Sequence, residues 1–349
     1  MKKVLVALSG GVDSAACAVL LKNEGYELLG ATMRLHGKES SCLTSKDVQD
    51  AQDVCKTLQI PHHVVDFSGD FENYVIKNFI SAYENGATPN PCIECNFRLK
   101  FDKLFDFAMQ NGCDMIATGH YARIEYDEKY ARRVLKKGLD PKKDQSYVLW
   151  RLDRNKLEHT MFPLGNTLSK DEARALAGMA QLDVSTKKDS QDICFVPDGD
   201  YAAFIENYTK KTYPVGDFVD LQGNILGKHK GIIRYTIGQR KGLGLALPAP
   251  MYVVAKSLEE NKVVLGFNED LLSSELYASE VNLTAVDSID TGIRVKAKIR
   301  YNQEAKDAYA TMENGLLHVV FDEPQRAICR GQSVVLYDGD VVIGGGIIC

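Results

Sequence analysis

Two groups of residues in this 349-residue chain have the types and spacing to do chemistry. One is Ser9-Gly10-Gly11-Val12-Asp13-Ser14, which follows the apolar run Val4 to Leu8 and precedes an alanine- and leucine-rich stretch. A loop between a strand and a helix offers unpaired backbone N–H groups and the positive helix end to an anion. Gly10 and Gly11 let the backbone approach a phosphate, Ser9 and Ser14 bring hydroxyls, and Asp13 suits Mg²⁺. The loop lacks the Gly-Lys-Ser/Thr ending of a Walker A motif and the spacing of a Rossmann fingerprint. The plain structural alternative is a tight glycine turn with a helix cap.

The other group is made of thiols. Cys92 and Cys95 form a Cys-x-x-Cys in Asn90-Pro91-Cys92-Ile93-Glu94-Cys95-Asn96, and Cys194 follows Lys187-Lys188-Asp189-Ser190-Gln191-Asp192-Ile193. The pair fits a dithiol redox couple, half of a zinc site, part of an iron–sulfur site, or two buried thiols without chemistry. A helix expected to begin at Asn96 would lower the pKa of thiols at its N-terminus. Cys17, Cys55 and Cys113 occupy apolar positions and read as small core residues. Cys42, Cys329 and Cys349 have no motif around them.

The elements that must position these groups alternate in type. Val4 to Leu8, Leu28 to Met33, His63 to Phe67 and Asp114 to Thr118 read as strands. Ser14 to Glu24, Lys46 to Leu58, Phe71 to Tyr83 and Asn96 to Gln110 read as helices. The order predicts an α/β fold: an open parallel sheet with helices on both faces. Beyond about Tyr201 short β-branched runs take over. Val295 to Arg300, Leu317 to Phe321 and a hairpin of Ser333 to Tyr337 and Asp340 to Gly345, turned by Asp338-Gly339 as a type I′ turn, predict a C-terminal β-barrel or sandwich. The glycine- and basic-rich segment Gly216 to Gly266 predicts a small central domain. The expected domains are 1–205, 206–270 and 271–349.

Composition bounds the function. A formal net charge of -5 argues against non-specific coating of nucleic acid, which needs many cations against phosphates. Local basic tracts remain: seven Lys or Arg with one acid from Lys129 to Lys143, and five with no acid from Gly227 to Lys241. Each alone reads as a solvated face, and the two together, with Tyr235 inside one, favour local phosphate contact. No apolar run approaches the roughly 18 residues of a membrane helix, and the start of the chain is too short in apolar residues for a signal peptide. The expectation is a cytoplasmic protein whose nine cysteines are thiols, ligands or redox groups.

The Ser9 loop resembles the pyrophosphate-binding loop of the N-type ATP pyrophosphatase superfamily, whose members cleave ATP to AMP and pyrophosphate to adenylate a substrate oxygen. Further blocks extend the likeness: Thr88-Pro89-Asn90-Pro91, Ala117-Thr118-Gly119-His120-Tyr121-Ala122-Arg123, Lys143-Asp144-Gln145-Ser146-Tyr147, and Lys188-Asp189-Ser190 through Cys194-Phe195. So do Tyr235-Thr236-Ile237-Gly238-Gln239-Arg240-Lys241-Gly242-Leu243-Gly244 and Phe321-Asp322-Glu323-Pro324-Gln325-Arg326. In this order, over nearly the whole chain, they look like the bacterial tRNA-specific 2-thiouridylase family, in its Cys-x-x-Cys form. The resemblance implies ATP and Mg²⁺, transfer RNAs for lysine, glutamate and glutamine, and sulfur from a donor protein or inorganic sulfide. It implies ATP contacts at Ala7, Leu8, Ser9, Gly10, Gly11, Val12, Asp13, Ser14, Met33 and Gly119. It sets Asn90, Pro91 and Cys92 at the target base, Cys95 as the catalytic thiol and Cys194 as the persulfide carrier. It puts His120, Lys143, Asp144, Gln145, Arg300, Tyr301 and Gln332 at the RNA.

Many members carry Asp where this chain has Cys92. The trio Cys92, Cys95 and Cys194 is therefore open to three readings: a persulfide relay, a [4Fe–4S] cluster with one iron free for sulfide, or zinc. Two other functions compete, an amidating enzyme of the same superfamily and a non-catalytic tRNA-binding protein. The first would need an ammonia source that the C-terminal half does not suggest, and the second leaves the intact loop and the thiols unexplained.

Overall fold

The computed structural model describes residues 1–35, 45–167, 169–180, 182, 184 and 193–349. Cys42 and the segment 185–192, with Lys187, Lys188 and Asp189 through Asp192, lie outside the described residues. Strand β1 (Lys3–Ala7) is central in a five-stranded sheet of order β3-β2-β1-β4-β7. The others are β2 (Glu27–Arg34), β3 (His62–Asp66), β4 (Met115–Ala117) and β7 (Thr160–Met161), all parallel.

Side-chain alternation gives this sheet two buried faces. Leu5 and Ile116 join Leu29, Phe71, Phe79 and Leu104 on one side. Val4, Val6, Met115 and Ala117 join Ala15, Ala18, Val54 and Leu58 on the other. Strands buried on both faces read as continuous apolar runs, which is why the strand positions were legible. Helix α1 (Val12–Asn23) is covered by the sheet and by the helix Lys170–Met179, so Ala15, Ala16, Cys17 and Ala18 all lie in the interior. The chain runs outward from β1 to β3 and returns to β4 on the other side of β1. The order therefore reverses between β1 and β4, where open α/β sheets bind ligands beyond the carboxyl ends of their strands.

Two helical runs, 68–84 and 91–110, each contain a π-helical stretch, Glu72–Ile76 and Asn96–Lys103. The second run begins at Pro91, with the Asn90 side chain accepting from the Cys92 N–H at 3.1 Å. Both thiols therefore lie inside the helix, five residues ahead of the start expected at Asn96, because Asn-Pro supplies a cap and a first-turn proline together.

The texture beyond Tyr201 begins with a helix, Tyr201–Thr209, before the β-rich part. Strands β8 (Gly216–Val219), β9 (Ile225–His229), β10 (Tyr252–Ser257) and β11 (Lys262–Gly266) form the central sheet. At the C-terminus β12 (Leu272–Leu283), β15 (Leu316–Arg326), β14 (Lys306–Glu313), β13 (Ile293–Lys298), β16 (Ser333–Asp338) and β17 (Val341–Ile348) follow one another. Pairing of β12 with β17 closes them into a barrel. The β16–β17 turn is Gly339-Asp340, one residue later than expected. Only Gly339, at φ +61, is left-handed there, the pattern of a type II′ turn.

A hairpin from the N-terminal half, β5 (Ala122–Asp127) and β6 (Arg132–Lys137), extends the barrel sheet beside β17. The basic tract on it is largely neutralised. Lys129 pairs with Asp338, Arg132 with Asp287 at 3.0 Å, and Lys136 with Asp127 at 2.9 Å. Lys129 and Arg132 fasten the two parts together. The lone tryptophan, Trp150, seals the same junction with no exposed surface, its indole N–H donating to the Ser333 hydroxyl at 3.0 Å. Gly345 leaves room for the ring, since a β-carbon there would lie 3.0 Å from it. Trp150→Ala should destabilise the chain by about 3–5 kcal/mol, read as a lower urea midpoint by circular dichroism; an unchanged midpoint would show that the junction does not depend on this ring.

Candidate functional site

The loop after β1 is shaped by close packing. Gly10 adopts φ +69, and a β-carbon on it would lie 2.3 Å from the Asp47 carbonyl oxygen in α2 (Ser45–Leu58). No side chain caps helix α1 at Gly11, so its first amides are available to an anion. Ser14 is turned inward: its hydroxyl donates to the Gly11 carbonyl at 3.0 Å and accepts from the Ser9 N–H at 3.2 Å. Ser14 thus shapes the loop in this conformation, and Ser9, exposed at the surface, holds its hydroxyl 3.3 Å from that of Ser14. Leu8 and Val12 are buried and offer only backbone; Ala7 ends β1, and Met33 lies nearly buried on β2.

The end of β4 closes against this loop. A β-carbon on Gly119 would lie 2.7 Å from the Asp13 carbonyl carbon and 2.8 Å from the Ser14 nitrogen. Tyr121 donates its hydroxyl to Asp13 Oδ1 at 2.7 Å, and Lys170 Nζ sits 2.9 Å from Asp13 Oδ2. Asp13 thus has two partners of its own, and a bound cation would compete with Lys170.

His120 continues the same segment inward. It is 8% exposed, its Nδ1 is 2.6 Å from the Thr118 hydroxyl, and its ring packs against Phe101 and Phe162. Burial, with the charge of Lys100, holds its pKa well below the ordinary histidine value. In this conformation His120 is an interior residue.

Lys100 also links this region to the thiols. Its charge acts on Cys92 and Cys95 as well as on His120, yet among the described residues it has no ion-pair or hydrogen-bond partner. Sequence reasoning missed it because an α-helical period turns residue 100 away from residue 95. In the i→i+5 ladder of Asn96–Lys103, residues five apart lie one turn apart.

Burial raises the Cys95 thiol to about 12, with Cys194 and Cys92 adding to the shift and Lys100 opposing it. Cys92 reaches solvent from a crowded recess, and its pKa is raised by burial and by Cys194 and lowered by Lys100. The expected thiolate-favouring helix terminus is therefore outweighed by desolvation. Cys194 is exposed and electrostatically coupled to both thiols; next to it, Phe195 is anchored in a cluster with Phe79 at 5.1 Å and Phe204 at 5.2 Å. The three thiols share one region, but among the described residues no group of three or more His, Cys, Asp or Glu is placed to hold a metal ion.

Barrel residues complete the surroundings. Tyr301 is half-buried with Cys92 contributing to its raised pKa, after burial and Asp144, and its ring lies 6.1 Å from Tyr147. Gln332 donates to the Thr88 carbonyl at 2.7 Å, holding the chain that leads to Asn90 and buried Pro91. Arg300 donates to the Ala327 carbonyl, and Gln145 accepts from the Tyr121 N–H at 3.0 Å. Asp144 accepts from the Ser146 hydroxyl at 2.9 Å, and Lys143 lies partly exposed beside it. Several expected RNA contacts thus brace the site in this conformation.

Two outcomes follow from this geometry. Gly119→Ala should push the Asp13–Ser14 backbone and weaken ATP binding at least tenfold by calorimetry, with unaltered affinity counting against the packing role. At pH 8, iodoacetamide should reach exposed Cys349 well before Cys95, whose thiol stays protonated far above that pH. Lys100→Met should slow Cys95 further and Lys100→Arg should not, because only the first removes charge that favours the thiolate.

Comparison with known proteins agrees with this layout. Residues 2–198 match the tRNA methyl transferase HUP domain, 202–267 the tRNA methyl transferase PRC-barrel domain, and 273–348 the aminomethyltransferase beta-barrel domain. The tRNA-specific 2-thiouridylase MnmA of Clostridioides difficile (strain 630) is 49% identical over 99% of this chain and 98% of its own. That of Acetivibrio thermocellus is 49% identical over 99% of each. A solved 4-thiouridine synthetase–RNA complex with bound ATP covers 59% of this chain and 50% of its own, at 15% identity and a TM-score of 0.36, too remote to carry residues across. Full-length identity at this level, with all three domains in order, places the chain in the tRNA-specific 2-thiouridylase family.

Proposed function

We propose that this chain replaces the C2 oxygen of the wobble uridine with sulfur in the transfer RNAs for lysine, glutamate and glutamine, at the cost of ATP cleaved to AMP and pyrophosphate. One observation carries the reading. Gly119 packs on the backbone of the phosphate loop, His120 follows it, and the charge of Lys100 acts on His120, Cys92 and Cys95, which also sense Cys194. An activated base held over the loop therefore lies within reach of sulfur.

Uncapped amides at the start of α1 and the exposed Ser9 hydroxyl receive the phosphates of ATP. Asp13, a hard oxygen donor, would hold Mg²⁺ after releasing Lys170, and the ion would neutralise phosphate charge. The wobble base already lies in a single-stranded loop, so turning it into the recess beside Asn90 and Tyr301 requires little unstacking. Its C2 oxygen attacks the α-phosphorus and pyrophosphate leaves. The terminal sulfur of a Cys194 persulfide then attacks C2 and AMP leaves with the oxygen. The Cys95 thiolate attacks Cys194 Sγ, the bond to the transferred sulfur breaks, and its electron pair stays on that sulfur as the thiocarbonyl forms. Cys95 and Cys194 end as a disulfide, which an external dithiol reduces before a persulfide donor reloads Cys194.

The relay is preferred to a cluster because the trio is coupled without ligand geometry. We assign the work to domains 1–205, 206–270 and 271–349, supported by breaks in the family matches near both boundaries. Among the described residues no helix is long and apolar enough to cross a membrane, in keeping with a cytoplasmic setting.

The test is nucleoside mass analysis of unmodified tRNA treated with ATP and a persulfide donor. Wild type should form 2-thiouridine with one AMP and one pyrophosphate each, and Cys95→Ser should lose at least a hundredfold of the product. ADP formation, or AMP release indifferent to tRNA, would overturn adenylation of the base. Stoichiometric iron after anaerobic reconstitution, required for product, would replace the relay.

A further inference from the structure

Glu94, between the two thiols of the helix, is tied to the distant barrel through one guanidinium. Arg151 is 9% exposed; it donates from Nη1 to Glu94 and from Nη2 to Glu280 Oε2 at 2.7 Å. Its guanidinium lies over the Phe97 ring at 4.2 Å, on the helix that carries Cys92 and Cys95. A planar donor fork stacked on a ring and bonded on both edges has little freedom to move.

The barrel end of this link is irregular. Pairing of β12 with β17 shifts register between Ser279 and Asn282, and within that bulge Glu280 adopts φ +50. A non-glycine residue is held left-handed only where its surroundings over-determine it, and such strain concentrates at functional positions. Asn282, from the same bulge, donates to the carbonyls of Trp150 at 2.9 Å and Leu152 at 3.1 Å, on either side of Arg151. The bulge therefore grips both the backbone around Arg151 and its side chain.

We propose that Glu280 and Arg151 are positioning residues that set the height of the Cys92–Cys95 turn relative to the barrel, so that the thiols meet a base held by RNA on that barrel. The inference rests on the thiolation reading above. It explains why β12 carries a strained glutamate where glycine would relax the backbone. It also explains why the residue between the thiols is acidic, since an apolar residue there would leave buried Arg151 short of a partner.

Glycine at position 280 separates positioning from mere stability. Glu280→Gly relieves the left-handed strain while removing one of the two carboxylates of Arg151, so the two effects oppose each other and its melting temperature should stay within a few degrees of wild type. Its kcat for thiolation should fall at least tenfold, with KM for ATP and tRNA within twofold. Glu280→Gln keeps a hydrogen bond to Arg151 and should stay within threefold of wild type in kcat. Hydrogen exchange should show faster amides at 92–96 in Glu280→Gly and not in Glu280→Gln. Wild-type kcat in Glu280→Gly, or unchanged exchange at 92–96, would overturn the inference. Should wild type itself make no 2-thiouridine, the proposed function fails, and the exchange data still decide whether the bulge holds the thiol turn.

Discussion

The absence of room for a β-carbon at Gly119 is the constraint on which the site depends. Its α-carbon presses on the backbone of Asp13 and Ser14, so the end of β4 and the start of α1 are joined as one surface. Parallel pairing of β1 with both β2 and β4 sets these two loops side by side at the point where strand order reverses. Once Gly119 is seated, His120 is driven into the core and Tyr121 reaches Asp13. The phosphate loop and the route to the thiols are then determined by one contact between backbones, which cannot relax as a flexible side chain could.

Burial of the thiols sets the character of the chemistry. Desolvation opposes the thiolate of Cys95 more strongly than the helix terminus or Lys100 favours it, so the resting enzyme keeps this thiol neutral. A neutral, recessed thiol is slow toward oxidants and stray electrophiles. It becomes a nucleophile when its environment gains positive charge or loses negative charge. Cys194 is placed differently, exposed at the surface, and its neighbour Phe195 packs against Phe79. The division of labour in the proposed relay, an accessible carrier and a protected partner, matches this difference in burial.

Much of this was legible from the order of residues. Continuous apolar runs at β1 and β2 signalled a sheet buried on both faces, and Ser9 to Ser14 signalled the loop between strand and helix. What escaped was set by tertiary packing or unusual local geometry. Lys100 faces the thiols only because Asn96–Lys103 winds with an i→i+5 period, which no apolar pattern announces. His120 looked like a polar residue in a loop, and its burial depends on Phe101 and Phe162 from other elements. The bulge at Glu280 has no glycine to mark it. Ser14 appeared as a phosphate donor, and only the turn of its loop shows its hydroxyl engaged by Gly11 and Ser9.

Charge presents the same contrast between local pattern and assembled structure. Basic residues at 129–143 form a cluster in sequence, but Asp338, Asp287, Glu158 and Asp127 meet most of them in space. In the second tract Lys228 meets Asp217, and Arg234 lies with Glu206 and Asp200. Lys230, Arg240 and Lys241 remain exposed without an ion pair among the described residues. In a chain of net charge -5, tracts paired to this extent gain less from releasing counterions than their sequence suggests. In the proposed reading recognition draws also on shape, on ring surfaces such as Tyr301, and on the geometry that holds barrel and thiol helix in register.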